Sequence, residues 1–221
     1  TETVADIAVG YHEPYVAGSF VKDTLDLGLE ESLQGANEYL FGSRGFFTLL
    51  AMSGVNFDTV DLQRAPIEDL LRYGQLWVYA FDFMDEKVQK KLVEFVKRGG
   101  KLVTLPGTPY LNENMEQVSI MNELFPAKVV TPVRAKKEFR LVPWLAVDSQ
   151  GIEEMVVKDY IRNFKLTNET PIAWDSKTKN PCAYRRKFGK GNATLIGFKI
   201  QHFPSFHDFH RRFIHYVLGL D

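Results

Sequence analysis

The residues best suited to chemistry follow the first apolar run of the chain. Tyr11, His12, Glu13 and Tyr15 come directly after a strand predicted for Val4–Val9. An imidazole beside a carboxylate can exchange protons with a substrate, and two nearby aromatic rings suit a sugar platform or a subunit contact. The same residue types also suit a loop whose polar groups bind local backbone. The sequence leaves these interpretations open.

A second group of candidates follows another apolar run, Leu76–Tyr79, which is predicted to be a buried parallel strand. Phe81, Asp82 and Phe83 come directly after it. The carboxyl ends of parallel strands meet at one edge of a sheet, where α/β proteins place their ligands. We therefore expect Phe81, Asp82 and Phe83 to extend the rim formed after the first strand, although Asp82 also suits the entry to a helix.

Thr108 lies in a Gly-Thr-Pro turn after the strand predicted for Lys101–Leu105. A threonine hydroxyl becomes a nucleophile only when a base activates it, and the sequence assigns no base to this one. Threonine beside proline is typical of turns. Thr108 is therefore a candidate for the ligand rim rather than for catalysis.

His207 and His210 are the metal-ligand candidates, because they stand three positions apart on a helix predicted for Phe206–Leu218. A zinc site needs a third converging ligand, for which His202 and Asp208 are the local choices, and Asp208 points elsewhere on the helix. We therefore expect no metal here and interpret the histidines as a helix surface, suited to an interface.

The composition predicts one soluble domain, residues 1–221, with 45% hydrophobic and 25% charged residues and a net charge of −1. Near-neutral charge gives no attraction to nucleic acid, and no run of eighteen apolar residues predicts a membrane span. The single cysteine, Cys182, excludes an internal disulfide and is expected in a buried strand, which favours a cytoplasmic location. Because the chain begins with Thr1, we expect it to be cut from a longer protein.

The elements that must position the candidates are clearest between Gln75 and Tyr110. Asp85 stands at the N-cap of a helix, and Gly99-Gly100 supplies a left-handed stop before the next strand. The apolar stripe of this helix is Val88, Leu92, Val93, Phe95 and Val96, opposite a lysine-rich face that we expect to be solvated. Strand, helix and strand form one βαβ unit with a right-handed crossover.

Further elements are predicted on both sides of this unit. Those before it are a helix at Arg44–Met52, a strand at Val55–Leu62 and a short helix at Pro66–Leu71; those after it are a helix at Asn114–Phe125, strand and loop at Val129–Val147, a hairpin at Pro181–Ile200 and the final helix. Alternating elements favour an α/β fold. We predict a doubly wound, mostly parallel, flavodoxin-like open sheet with helices on both faces and a C-terminal hairpin plus helix.

Three segments together resemble a known module. They are the helix end and "G-V-x-F-D" strand at Leu50–Asp58, the unit at Asp85–Val103, and Phe188-Gly-Lys-Gly191 before the strand Ala193–Phe198. The chain resembles the class I glutamine amidotransferase-like module, of the trimerisation type, that follows the catalytic barrel in β-galactosidases and related glycoside hydrolases.

The chain departs from true amidotransferases at the catalytic position. Their nucleophile is a cysteine on a sharp strand-to-helix turn, whereas this chain has Thr108 there and its cysteine in a hairpin arm. In the resembled enzymes the catalytic carboxylates belong to the barrel. The resemblance therefore implies a non-catalytic module without a cofactor, which packs on the barrel domain of the same parent chain, helps to form a homo-oligomer and frames a carbohydrate site.

Two alternatives belong to other functional classes. One is a free-standing flavodoxin-like hydrolase or amidotransferase relative that uses His12, Glu13 and Asp82 as acid-base groups. The other is a small-ligand binding domain without catalysis. A complete pocket favours either alternative, whereas an exposed apolar surface favours the accessory module.

Overall fold

The fold is a large mixed β-sheet with helices packed against it. A computed structural model describes residues 5–13, 47–80, 82–134, 145–149, 152–200 and 208–219. The strands are β1 (Ile7–Tyr11), β2 (Phe57–Asp61), β3 (Gln75–Ala80), β4 (Lys101–Pro106), β5 (Lys128–Arg134), β6 (Leu145–Ser149), β7 (Ile152–Lys165), β8 (Thr170–Asp175), β9 (Pro181–Phe188), β10 (Gly191–Ile196) and β11 (Phe198–Lys199). The helices are α1, helical over 47–52, α2 (Ile67–Leu70), α3 (Glu86–Lys97) and α4 (Asp208–Leu218).

One half of the sheet is parallel. Its strands lie in the order β2, β1, β3, β4, β10, and Ile7 of β1 pairs with Phe57 on one side and Gln75 on the other. The chain order reverses between β1 and β3. At such a reversal the connections leave in opposite directions, so a crevice opens at the carboxyl ends of the two strands.

The other half of the sheet is antiparallel, so the prediction of a mostly parallel sheet is wrong. From β10 the order continues through β9, β8, β6 and β7, and β7 also carries β5 and β11. Parallel pairing needs a long crossover, whereas adjacent strands joined by short turns pair in antiparallel fashion. Between β6 and β10 the described residues contain no helix that could form such a crossover.

Helix α3 has the predicted boundaries and buried face. Every residue of the predicted apolar stripe is buried, and the helix packs on β4 and β10. Asp85 occupies the N-cap, and Gly99 has the left-handed φ of 123° that ends the helix. Lys91 departs from the expected solvated face, because its ammonium donates to the carbonyls of Leu62 and Ala65 at 2.8 and 2.7 Å and holds the connection after β2.

Three local predictions need correction. Strand β1 lies later than Val4–Val9, because Gly10 and Tyr11 pair with β2. Asn114–Phe125 is not an α-helix: it contains turns and a 3₁₀ turn at Ile120–Glu123. The Asn112 side chain accepts the backbone N–H groups of residues 114 and 116, which competes with helix formation. Strands β7 and β8 were not predicted.

The final helix packs against the core. Phe213, Ile214 and Val217 are buried in α4, which contacts β7. A ring nitrogen of His215 lies 2.8 Å from the carbonyl oxygen of Ser53 at the end of α1. None of the helices in the described ranges has the length and apolar character that a membrane crossing requires.

Candidate functional site

The first candidate cluster surrounds a buried histidine at the crevice beside β1. His12 follows β1 and is 1% exposed, and its Nε2 lies 3.4 Å from Oδ1 of Asp85 at the start of α3. The side-chain amide of Gln63 donates to the other oxygen of Asp85. The ring of Phe83 meets the imidazole edge-on, with 6.0 Å between the ring centres. The fold therefore joins residues from three separate segments in this cluster: His12, Gln63, and the connection that holds Phe83 and Asp85.

The electrostatics of this cluster favour a neutral imidazole. Burial lowers the pKa of His12 below its ordinary value, because a protonated ring loses hydration inside the protein. The carboxylates of Asp85 and Asp61 oppose this shift without reversing it. An imidazole with this little exposure has no surface to offer a bound substrate. The arrangement therefore favours a structural role for His12 over the acid-base role considered from the sequence.

Glu13 and Tyr11 lie at the rim of the same crevice. The Glu13 carboxylate accepts from the Arg64 guanidinium at 3.3 Å, and both side chains are more than half exposed. Such a surface ion pair contributes little to stability. Tyr11 is half-buried at the end of β1, where its carbonyl accepts the N–H of Leu62 at 2.9 Å.

The second candidate site is a cavity of about 350 Å³ at the carboxyl ends of β3, β4 and β10. It is lined by Asp82, Gly107, Thr108, Tyr110, Asn122, Phe125, Ala127, Val129, Arg162, Phe164 and Leu195. Oδ1 of Asp82 lies 3.9 Å from Nη2 of Arg162, and these side chains are only 12% and 18% exposed. One carboxylate and one guanidinium, those of Asp82 and Arg162, are therefore the charged groups among the lining residues.

Backbone contacts hold both members of this charge pair in place. The carbonyl of Asp82 accepts the N–H groups of Tyr110 and Leu111 at 2.8 and 2.9 Å. The N–H of Arg162 donates to the carbonyl of Gly197 at 2.7 Å, just beyond β10. Gly107 leaves room for the guanidinium, because a Cβ there would lie 2.4 Å from Nη1 of Arg162.

The structure distributes the predicted site residues over two sites. Asp82 and Thr108 line the cavity, whereas Tyr11, His12 and Glu13 surround the β1 crevice, with Phe83 against His12. Tyr15, Phe81 and His207 lie outside the described residues, as does the side chain of His210 on α4. Within the described ranges, no three histidine, cysteine, aspartate or glutamate side chains converge as a metal site would require.

Sequence reasoning missed Arg162 and the partnership of Asp85 with His12. Arg162 belongs to β7, whose sequence from Ile152 to Lys165 contains no regular apolar–polar alternation that would signal a strand. No local pattern shows that β7 brings its arginine to the end of β3. Asp85 was recognised as a helix cap, but its carboxylate makes no capping hydrogen bond and faces His12 and Gln63 instead.

The mixed sheet and the helices packed against it define an α/β domain. The profile of the family described as "GLMA-like, second domain" matches residues 27–165. The chain belongs to this family.

Relatives extend the match over almost the whole chain. It is 42% identical to an exo-β-D-glucosaminidase of Pyrococcus horikoshii over 98% of its length, and 30% identical to a β-1,2-glucosyltransferase of Ignavibacterium album over 90%. The matches cover 27% and 28% of those proteins, so the chain spans about a quarter of the length of these relatives.

Solved structures agree with the fold. A β-galactosidase of G. stearothermophilus has a TM-score of 0.74 at 19% identity, over 100% of this chain and 30% of that one. A β-galactosidase of Halorubrum lacusprofundi has a TM-score of 0.72 at 16% identity, over 97% and 30%. These structures establish a shared fold. The narrower resemblance to class I glutamine amidotransferases stays a prediction.

Proposed function

We propose that this chain is a non-catalytic accessory module of a multidomain glycoside hydrolase of the exo-β-D-glucosaminidase type, and that it assembles subunits and helps to frame a carbohydrate site. The observation that carries the proposal is the family match, together with relatives that are about four times longer than the matched region. A catalytic barrel in the remaining length of the parent protein would supply the carboxylates. The burial of His12 agrees with a module that performs no acid-base chemistry itself.

An exposed apolar surface supports the assembly role. Four of the five large hydrophobic residues that are exposed among the described ones lie in two neighbouring segments: Tyr110, Met115, Val129 and Val130. Tyr110 and Val129 line the same cavity, so the two segments meet at its mouth. We call Tyr110 and Val129 the apolar patch. Clusters of exposed apolar side chains on a folded protein are typical of interaction sites.

The proposal includes the finer architecture. The order β2, β1, β3, β4, β10 agrees with a flavodoxin-like parallel half, doubly wound with helices on both faces, within one domain of residues 1–221. The barrel domain of the same parent chain and a second subunit are the partners that we propose for the apolar patch.

The test compares the parent protein with a variant that lacks this module. We expect the intact protein to be an oligomer that hydrolyses nitrophenyl β-glucosaminide, and the deletion variant to have a lower mass by light scattering and reduced turnover. The 221-residue chain alone should show no turnover of β-glucosaminide or β-galactoside. Turnover by the chain alone, or a deletion variant with unchanged mass and activity, would contradict the proposal.

A further inference from the structure

We infer that the cavity between Asp82 and Arg162 is a binding site for a single pyranose ring of the glucosamine or glucose type. The site consists of the charge pair, the Thr108 and Asn122 side chains, and an aromatic and aliphatic wall. The size and the lining residues of the cavity indicate that it binds a small polar ligand. The choice of sugar rests on the proposed function.

The charge pair favours a neutral ligand with several hydroxyl groups. Asp82 and Arg162 lie 3.9 Å apart, so their charges largely compensate and the cavity attracts neither anions nor cations strongly. A carboxylate accepts two hydroxyl protons, and a guanidinium donates in a fixed planar fork. Neighbouring hydroxyls on a sugar ring offer both donors and acceptors at a matching spacing. Hydrogen bonds to charged groups are also stronger than those between neutral groups.

The remaining walls match the rest of a sugar ring. Phe125, Phe164 and Leu195 belong to the apolar lining but are themselves almost fully buried, so Tyr110, which is 42% exposed at the opening, offers the ring face on which the C–H groups of a sugar can pack. Thr108 and Asn122 add a hydroxyl and an amide to the polar side. Binding sites for small molecules combine a mainly apolar lining with a few placed polar groups in this way, and about 350 Å³ lies at the small end of their range.

A zwitterionic amino acid is the competing ligand for an acid-base pair. Its ammonium and carboxylate would have to replace the contact between Asp82 and Arg162. It would also offer no ring face to the exposed side of Tyr110. The Tyr110 ring and the additional hydroxyl and amide therefore favour the sugar.

The test is an NMR titration of the 221-residue chain with glucosamine, glucose and, in a separate arm, glutamine. The dispersed amide spectrum reports that the chain is folded before ligand is added. We expect saturable shifts for the backbone amides of Asp82, Thr108, Tyr110 and Arg162 with glucosamine or glucose. A ligand with about a dozen heavy atoms is expected to have a dissociation constant on the order of millimolar.

Two variants disrupt the contact between Asp82 and Arg162 in different ways. Arg162→Met removes the guanidinium at similar length. Gly107→Ala keeps both charges but adds a methyl group 2.4 Å from the present position of Nη1 of Arg162, so the guanidinium must shift. We expect each to weaken sugar binding about tenfold or more, as for loss of a charge-assisted hydrogen bond. Arg98→Met is the matched control, since Arg98 pairs with Glu68 at 3.1 Å on the surface and lies outside the cavity lining. If Arg162→Met does not fold, the sugar affinity of Gly107→Ala still tests the inference.

Three results would overturn the inference: no shifts at these amides, sugar binding that is unchanged in Gly107→Ala, or binding of glutamine in preference to the sugars. Each of these outcomes is independent of the proposed assembly role. A parent protein that keeps its mass after deletion of the module would refute assembly, while sugar shifts at Asp82 and Arg162 would still support the site.

Discussion

At the scale of single residues, two contacts made by carboxylates have opposite surroundings. His12 is buried against Asp85 with the pKa of its imidazole lowered by burial, whereas Glu13, the next residue, makes an exposed ion pair with Arg64. The first contact is coupled to folding, because its protonation state differs between the folded and unfolded chain. The second is screened by water and salt.

Stability should therefore fall as pH decreases below about 6.5, the ordinary pKa of histidine. The folded-state pKa of His12 is depressed, so the unfolded chain binds the proton more readily in this window, and acid favours unfolding. One histidine changes the free energy of unfolding by at most about 1.4 kcal/mol per pH unit. Urea unfolding of the chain between pH 5.5 and 7.5 measures it.

The control for this prediction is His12→Asn, which cannot take up the proton. We expect the variant to show a smaller change in unfolding free energy between pH 5.5 and 7.5 than the natural chain. An identical pH dependence in both proteins would show that His12 is not the titrating group.

At the scale of elements, the contact between α3 and the β9–β10 hairpin depends on an absent side chain. Gly191 begins β10, and a Cβ there would lie 2.1 Å from the carbonyl oxygen of Gly100 and 2.5 Å from that of Val96. These are backbone atoms that cannot rotate away. The end of the helix, its glycine stop and the hairpin therefore form one close-packed junction.

Gly191→Ala should destabilise the fold by about 3 kcal/mol, because overpacking forces the backbone to shift. Gly54→Ala is the comparison: its Cβ would meet nothing within 4 Å, and only its φ of +71° is unfavourable for alanine. That conformational cost is about 1 kcal/mol. Chemical denaturation should show a larger loss of unfolding free energy for Gly191→Ala than for Gly54→Ala. Equal losses would show that the junction is not closely packed.

Phe95 anchors the buried face of α3 at the same junction. It is fully buried, and its ring occupies the space beside Gly100. Phe95→Ala should lower the free energy of unfolding by about 3 to 5 kcal/mol through lost burial and the cavity left behind. Lys97→Ala, on the exposed face of the same helix, should change it by less than about 0.5 kcal/mol. Urea midpoints for the two variants provide the measurement.

At the scale of the whole molecule, the mixed sheet places the apolar patch beside the antiparallel half. Strand β5 pairs with β7, and its residues Val129 and Val130 are 54% and 39% exposed. An apolar side chain at this position contributes to folding only weakly, since it remains largely in water. Its contribution to an interface with another domain or subunit is larger.

Val129→Lys should therefore reduce the mass of the parent oligomer while leaving the unfolding free energy of the chain nearly unchanged. Burying a lysine at an interface costs far more than exposing it on a surface. Met52→Lys is the matched control, because Met52 is 48% exposed but lies outside the apolar patch. Light scattering measures the oligomer mass of each variant. Equal masses for Val129→Lys and Met52→Lys would show that Val129 does not belong to the proposed interface.

Local patterns in the sequence determined the elements whose own periodicity defines them. The stripe and caps of α3, the strands on either side of it, the β9–β10 hairpin and the final helix could be predicted because helical and strand periods are short-range properties. The position of Asp82 at a strand end followed from the same reasoning.

Only the tertiary structure decided which distant segments meet. The pairing of β7 with three different strands extends the antiparallel half of the sheet. It also brings Arg162 to within 3.9 Å of Asp82, where Arg162 and Phe164 line the same cavity as Thr108. The burial of His12 against Asp85 likewise joins positions 73 residues apart. Such contacts depend on the packing of the whole core, because hydrophobic burial is non-directional and leaves no local pattern that names the partner.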